Sequence, residues 1–266
     1  MGEMVDERPN GGPVTPADDP LALAAVAAAL PMPLLIGLDV DGVLAPIVPY
    51  AGDAVLTPGV LDALSALSHH AEVAAVAVVS GRTVTDLARF TFAETIAVVG
   101  THGLERRGAA PLDLSEDERR RLEHLVTIAT AAAGNAGDGA WVEHKPAGVV
   151  LHVREAPAAT SAAVVAELHR MASHLEGTHV KRGHDVVELL ARATSKATAV
   201  ESLRVEADAA SVVYVGDDLT DEEVFVALGA DGCSIRVGPG PTAARHRLAD
   251  PPEVLTFLHA LASRLA

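Results

Sequence analysis

Asp39 and Asp41 stand two residues apart directly after the apolar run Leu34–Leu38, and Gly42 follows them. A short apolar run of this kind predicts a buried parallel strand. The two acids then sit at its C-terminal tip, where open α/β sheets build their sites. One carboxylate at such a tip can attack phosphorus while its neighbour moves a proton. Asp39 is the expected nucleophile, forming an aspartyl-phosphate, and Asp41 the group that protonates the leaving alkoxide and then deprotonates the hydrolytic water. A second acid cluster, Asp217, Asp218 and Asp221, follows the apolar run Val212–Val215. Carboxylates packed together repel unless a cation joins them. Asp39, Asp41 and Asp217 are therefore the expected ligands of one Mg²⁺ ion, supported from behind by Asp218 and Asp221. Asp221 would equally serve as the cap of a following helix.

Two further groups belong to the same chemistry. Ser80-Gly81-Arg82 closes the run Val73–Val79. A small hydroxyl followed by glycine leaves room for phosphate oxygens, and the backbone N–H groups of a helix start add donors. A Ser-Gly pair also opens helices without any ligand. Lys196 falls in the first turn of a predicted helix, where a cation opposes the macrodipole and needs a compensating anion. Asp39 and a phosphoryl group would supply one, and a lysine snorkelling to solvent is the alternative. Only three of the 20 basic residues are lysines, Lys145, Lys181 and Lys196.

The elements that must position these residues form two patterns. Strands are expected at Leu34–Leu38, Val73–Val79 and Ile96–Val99, with helices at Pro58–Ser68 and Thr83–Phe90 between them. This is a βαβαβ progression with right-handed crossovers. It resumes with helix Thr194–Arg204, strand Val212–Val215, helix Asp221–Leu228, strand Gly232–Val237 and closing helix Pro252–Arg264. The middle differs: helix Ser115–Ala133, strands Ala140–Lys145 and Gly148–Arg154, helix Pro157–Leu175, then strands Thr178–Arg182 and Asp185–Leu190 turning at Gly183-His184. That αββαββ order predicts an inserted α+β unit over 108–190 within a doubly wound α/β core formed by 21–107 and 191–266. Residues 1–20, rich in Pro, Gly, Asp and Glu, are expected to be a mobile tail.

Composition narrows the partners. The 266 residues are 49% hydrophobic but only 3% aromatic, which suits small, tight helix–sheet contacts. A formal net charge of −16 argues against nucleic-acid and anionic-membrane partners. The Ala/Leu run Leu21–Leu30 is too short to span a bilayer and has an acidic upstream flank, unlike a signal peptide. With one cysteine, Cys233, no internal disulfide can form, and a cytoplasmic location is expected. The twelve histidines form no metal-spaced pair on a shared face, so no zinc site is expected.

The order Asp-x-Asp, Ser, Lys, Asp-Asp at these strand tips resembles the haloacid dehalogenase (HAD) superfamily of phosphatases, over about residues 33–107 and 191–250. The resemblance implies a HAD-like Rossmannoid core, with the insert as a C2-type cap. A narrower set of motifs resembles the trehalose-6-phosphate phosphatase family: Val79-Ser80-Gly81-Arg82, Gly100-Thr101-His102-Gly103-Leu104-Glu105, Glu143-His144-Lys145-Pro146, His152-Val153-Arg154, Lys181-Arg182-Gly183 followed by Glu188, and Gly216-Asp217-Asp218-Leu219-Thr220-Asp221. Val43, Ala197 and Leu189-Leu190-Ala191 depart from the family pattern. The resemblance implies an Mg²⁺-dependent hydrolase of trehalose biosynthesis, with Asp39, Asp41 and Lys196 catalytic and Ser80, Gly81 and Arg82 holding phosphate. It also implies His102, Glu105, Glu143, Lys145, Arg154, Lys181 and Glu188 as sugar contacts. The expected partner is a small-molecule sugar phosphate, and the expected state a monomer. Other readings are a related HAD phosphatase acting on sucrose phosphate or a mannosyl-phosphoglycerate-type compound, a phospho-accepting signalling domain, and a non-catalytic partner of a sugar synthase. Asp41 and the insert speak against the signalling domain.

Overall fold

The computed structural model describes residues 17–183 and 185–265. Most of the expected tail (1–16) and the turn residue His184 lie outside the described residues. In chain order the elements are α1 (Pro20–Ala28), β1 (Leu34–Leu38), α2 (Val60–Ser68), β2 (Val73–Val79), α3 (Val84–Leu87), β3 (Ile96–Gly100), β4 (Glu105–Arg106), α4 (Glu116–Ala136), β5 (Trp141–Lys145), β6 (Gly148–His152), α5 (Ala158–Ser173), β7 (His179–Gly183), β8 (Val186–Leu190), α6 (Lys196–Glu206), β9 (Ser211–Gly216), α7 (Leu219–Leu228), β10 (Cys233–Val237), β11 (His246–Leu248) and α8 (Pro251–Leu265). They form two compact units. The first comprises the described parts of Met1–Ser80, Ala88–Val98 and Lys196–Ala266, and the second comprises Gly81–Leu87 and Val99–Ser195. The segment 108–190 lies wholly inside the second unit, which extends beyond it at both ends.

The first unit is built on a sheet ordered β11-β10-β9-β1-β2-β3, and within the second unit the short β4 pairs antiparallel with Val99 and Gly100 at the end of β3. The pairings β1–β2, β1–β9, β9–β10 and β10–β11 are all parallel. Every residue of β1 and β9 is buried, as expected for strands covered by helices on both faces. Gly37 has a packing reason, since a Cβ there would lie 2.8 Å from the Tyr214 ring on the neighbouring strand. β1 sits where the strand order reverses, between β9 and β2, so the tips of β1 and β9 form a topological switch point.

The second unit contains a four-stranded antiparallel sheet ordered β5-β6-β8-β7. Val149, Leu151, Val187 and Leu189 pack with Leu125 and Ala129 of α4 and Leu168 and Ala172 of α5. Strand alternation then turns Glu143, Lys145, Val150, His152, Lys181 and Glu188 to the opposite face. α4 starts with a capping box, in which the Ser115 hydroxyl accepts from the Glu118 N–H and Glu118 accepts from the Ser115 N–H.

Three elements carry no period that a sequence reading could use. α1 is Ala/Leu on all sides, and β4 and β11 are two and three residues long. The helix expected over Thr83–Phe90 is one α-helical turn followed by a 3₁₀ turn, Ala88–Phe90. The helix expected from Asp221 begins two residues earlier, at Leu219, with Asp218 as its cap. Among the described residues no helix is long and apolar enough to cross a membrane.

Candidate active site

The register of the central strands assembles the acids of the first unit. Leu38 pairs with Val215, and the Asp39 N–H continues the ladder by donating to the Val215 carbonyl at 3.0 Å. Asp39 and Asp217 therefore leave adjacent parallel tips side by side. Beyond Asp39 the chain folds back at once: the Leu44 and Ala45 N–H groups donate to the Val40 carbonyl, and the Gly42 N–H to the Ala45 carbonyl. Gly42 adopts φ +74°, and a Cβ there would fall 2.0 Å from Asp217 Oδ2. Glycine at this turn is what admits the Asp217 carboxylate.

One oxygen each of Asp39, Asp217 and Asp221 lies within 4.8 Å of the others. Hard carboxylate oxygens at that spacing suit a small divalent cation, so the cluster fits Mg²⁺ through Asp39 and Asp217, with Asp221 behind them. Asp41 is half-buried nearby and is not one of the three. Burial pushes the Asp39 carboxyl up to about 7, with Asp221 and Asp41 adding to the shift and Lys196 opposing it. Burial likewise raises Asp217 to about 8, with Asp39 and Asp221 as further causes. Both shifts show like charges crowded out of water.

Lys196 is the first residue of α6 and is 1% exposed. Its ammonium donates to Asp39 Oδ2 at 2.6 Å and to Asp221 Oδ1 at 2.8 Å. Burial opposes the charge, but Asp221 and Asp39 outweigh it and hold the lysine well above its ordinary value. The snorkelling alternative is thereby excluded, and the two carboxylates compensate for a cation at a helix N-terminus. Asp221 is the anchor of this arrangement. Its Oδ1 accepts from Lys196 and from the Tyr214 hydroxyl at 2.7 Å, and its Oδ2 from the N–H groups of Asp217 and Asp218 at 3.1 Å. Four donors fill the four lone-pair sites of a carboxylate. Asp221 thus lies inside the helix at its third position, where it completes the capping box with Asp218 through one oxygen and holds Lys196 in place with the other. Asp218, the cap, is exposed.

Tyr214 is a functional residue that the sequence reading missed. It is fully buried, and burial together with Asp221 and Asp39 keeps its hydroxyl protonated well above the ordinary range. The available signal was one hydroxyl-bearing aromatic inside a run of valines.

Ser80 closes β2 and is buried. Arg82 donates to Asp86 one turn on. The place a Cβ at Gly81 would take is filled by His102, whose Cε1 would lie 2.7 Å from it. Within the second unit, then, the glycine admits an imidazole. Thr101 and His102 both adopt positive φ, 47° and 53°, a costly conformation that surrounding contacts must hold. It sets His102 Nε2 3.0 Å from Glu188 Oε2. Lys145 donates to Glu188 Oε1 at 2.9 Å and to the Gly81 carbonyl at 3.0 Å. Burial would raise Glu188, but the His102 hydrogen bond and Lys145 bring it down to about 2. Glu143 and Lys145 share one face of β5 but turn to different partners, and Glu143 meets His152 Nε2 at 2.9 Å. Lys181 stands opposite Glu188 in the β7–β8 register. Arg154 lies past β6, 3.8 Å from Asp185, and Glu105 accepts from the Thr101 hydroxyl.

Comparison with known proteins places this arrangement. The trehalose-phosphatase family pattern matches residues 37–252. The trehalose-6-phosphate phosphatase of Escherichia coli (strain K12) is 30% identical over 240 residues, covering 85% of this chain and 86% of that protein. The bifunctional trehalose-6-phosphate synthase/phosphatase of Thermoproteus tenax is 34% identical over 221 residues, covering 81% of this chain but 30% of that longer protein. In fold, the C-terminal domain of the Candida albicans trehalose-6-phosphate phosphatase superposes with a TM-score of 0.80 at 22% identity, covering 94% of this chain and 98% of that one. With the acid pair, the buried lysine and the second acid cluster all inside the matched span, the chain belongs to the trehalose-phosphatase family.

Proposed function

We propose that this protein is a magnesium-dependent phosphomonoesterase that hydrolyses trehalose 6-phosphate to trehalose and phosphate through an aspartyl-phosphate on Asp39. The observation that carries the reading is the buried Lys196 ammonium shared by Asp39 and Asp221, beside Asp217. A fixed ammonium beside the attacking oxygen orients that oxygen and offsets charge on the phosphoryl group without reorganisation during the reaction. Magnesium, when bound, would neutralise phosphoryl oxygens and lower their repulsion toward the nucleophile. Asp39 and Asp217 are the carboxylates with capacity to hold it, and Asp221 keeps Lys196 aimed. Asp41 acts as the general acid and then the base, and the Ser80 hydroxyl donates a hydrogen bond to a phosphoryl oxygen.

Sugar recognition belongs, in this reading, to the polar row of the second unit: His102, Glu143, Lys145, Lys181 and Glu188, with Glu105 and Arg154. Charged groups suit a disaccharide, which is rimmed with hydroxyls. The Lys145–Glu188 ion pair and the His102–Glu188 contact hold those side chains in fixed positions before a ligand arrives.

The test is phosphate release from a panel of sugar phosphates, with magnesium, with EDTA, and with magnesium restored. Turnover of trehalose 6-phosphate that stops with EDTA, returns with magnesium and is absent in Asp39→Asn is the expected result. Full activity in Asp39→Asn would refute the nucleophile. Glu188→Ala or Lys181→Ala should lower trehalose 6-phosphate turnover more than that of a small aryl phosphate, and equal losses on both would remove the sugar role.

A further inference from the structure

The second unit's sheet carries one group that the proposed function leaves unused. Trp141, the only tryptophan of the chain, opens β5 and is 49% exposed. An exposed indole on a strand leaves much of a large apolar surface in water, and such surface is usually buried. This one is also held rigidly. It pairs across the ladder with His152, and the two rings stack 3.9 Å apart and 2° from parallel. His152 is itself fixed by its 2.9 Å contact with Glu143. Burial would raise the Glu143 carboxyl, but the His152 hydrogen bond and Lys145 hold it below its ordinary value, so it stays an acceptor.

Alternation places Trp141, Glu143 and Lys145 on one face of β5, the face turned away from α4 and α5. Successive members of that row are roughly 7 Å apart along the strand. The row thus reads aromatic plate, carboxylate, ammonium, with Glu188 beside Lys145. A pyranose has the complementary pattern: an apolar face of axial C–H bonds, and a rim of hydroxyls that donate to carboxylates and accept from ammonium groups. The four steps of strand from Trp141 to Lys145, about 13 Å, are on the scale of two linked pyranose rings. We infer that Trp141, backed by His152, is a stacking platform for a pyranose ring of the substrate, and that it makes this enzyme prefer a disaccharide phosphate to a monosaccharide phosphate. The inference rests on the reading of the polar row as the sugar site.

A single tryptophan makes the platform its own reporter. In the non-hydrolysing Asp39→Asn protein, trehalose 6-phosphate should change the tryptophan fluorescence saturably, and inorganic phosphate should not. In the active enzyme, Trp141→Ala should raise KM for trehalose 6-phosphate about tenfold, with kcat falling far less, and Trp141→Tyr should restore most of the affinity. Circular dichroism of each variant verifies its fold. If the wild-type protein turns over trehalose 6-phosphate while its fluorescence stays flat and Trp141→Ala keeps the original KM, the platform is overturned and the activity stands. If trehalose 6-phosphate is inert but another sugar phosphate shifts the fluorescence saturably, the substrate assignment fails and the platform stands. If no sugar phosphate moves the signal, the platform is overturned.

Discussion

At the scale of single residues, the chemistry rests on a chain of buried contacts, Tyr214 to Asp221 to Lys196 to Asp39. Each link removes a cost that the next creates. A buried ammonium needs carboxylates, and a buried carboxylate needs donors. Tyr214→Phe deletes the last donor while keeping the ring against Gly37. It should cost about 2 kcal/mol, as for a hydrogen bond to a charged group, measured as a lowered urea midpoint. It should also lower kcat by loosening Lys196. An unchanged midpoint would show that the hydroxyl contributes nothing. The positions of Asp39, Lys196 and Asp217 were legible in the sequence because each follows an apolar run or opens a helix, whereas Asp41, expected as a metal ligand, lies half-buried outside the acid cluster. Tyr214 was not, because its role is set by a neighbour seven residues on that a helix start folds back against it.

At the scale of elements, two parallel strand tips and one turn decide the geometry. β1 and β9 deliver Asp39 and Asp217, and the turn after Asp39 gives way at Gly42 to admit the Asp217 carboxylate. Gly42→Ala should therefore act on Asp217 rather than on the fold. The added Cβ would fall on that carboxylate at a backbone angle that an alanine avoids. A displacement of that size at a reacting centre costs on the order of 100-fold in kcat/KM. Steady-state kinetics with a circular dichroism control checks this, and near-normal activity would refute the close approach. The strand and helix order was legible from periodicity, whereas α1, β4 and β11 were not, since a uniformly apolar helix and strands of two or three residues carry no period. In the fold the space a Cβ at Gly81 would take holds His102, a contact the sequence did not anticipate. Spacing along a chain cannot show which distant ring fills the gap over a glycine.

At the scale of the whole molecule, a chain of net charge −16 has gathered part of that charge in one buried cluster. Its carboxyls Asp39 and Asp217 are raised from 3.8 to about 7 and about 8. An acid whose folded pKa exceeds its unfolded value stabilises the folded state only while protonated there. Stability of the metal-free protein should therefore fall as pH rises from about 4 to about 8. A divalent cation bound to the ionised carboxylates would offset that loss. Magnesium should accordingly raise Tm more at about pH 8.5 than at about pH 5.5, where protons compete for the same oxygens. Thermal melts at the two pH values, with EDTA or with magnesium, give the comparison. An equal shift at both would mean that the ion binds elsewhere.

The sequence alone determined the strand tips, the acids upon them, the lysine at a helix start and the interruption of the wound pattern by an αββαββ segment. These follow from local rules, in which apolar runs make strands and polar residues at their ends are left to do chemistry. The tertiary structure alone decided that Asp221 anchors Lys196 as well as completing the helix cap, that Tyr214 completes the network, that Glu143 turns to His152 while Lys145 turns to Glu188, and that Trp141 lies flat against an imidazole. Each of those is a choice among partners far apart in sequence, made by strand register and burial, and no local pattern encodes it.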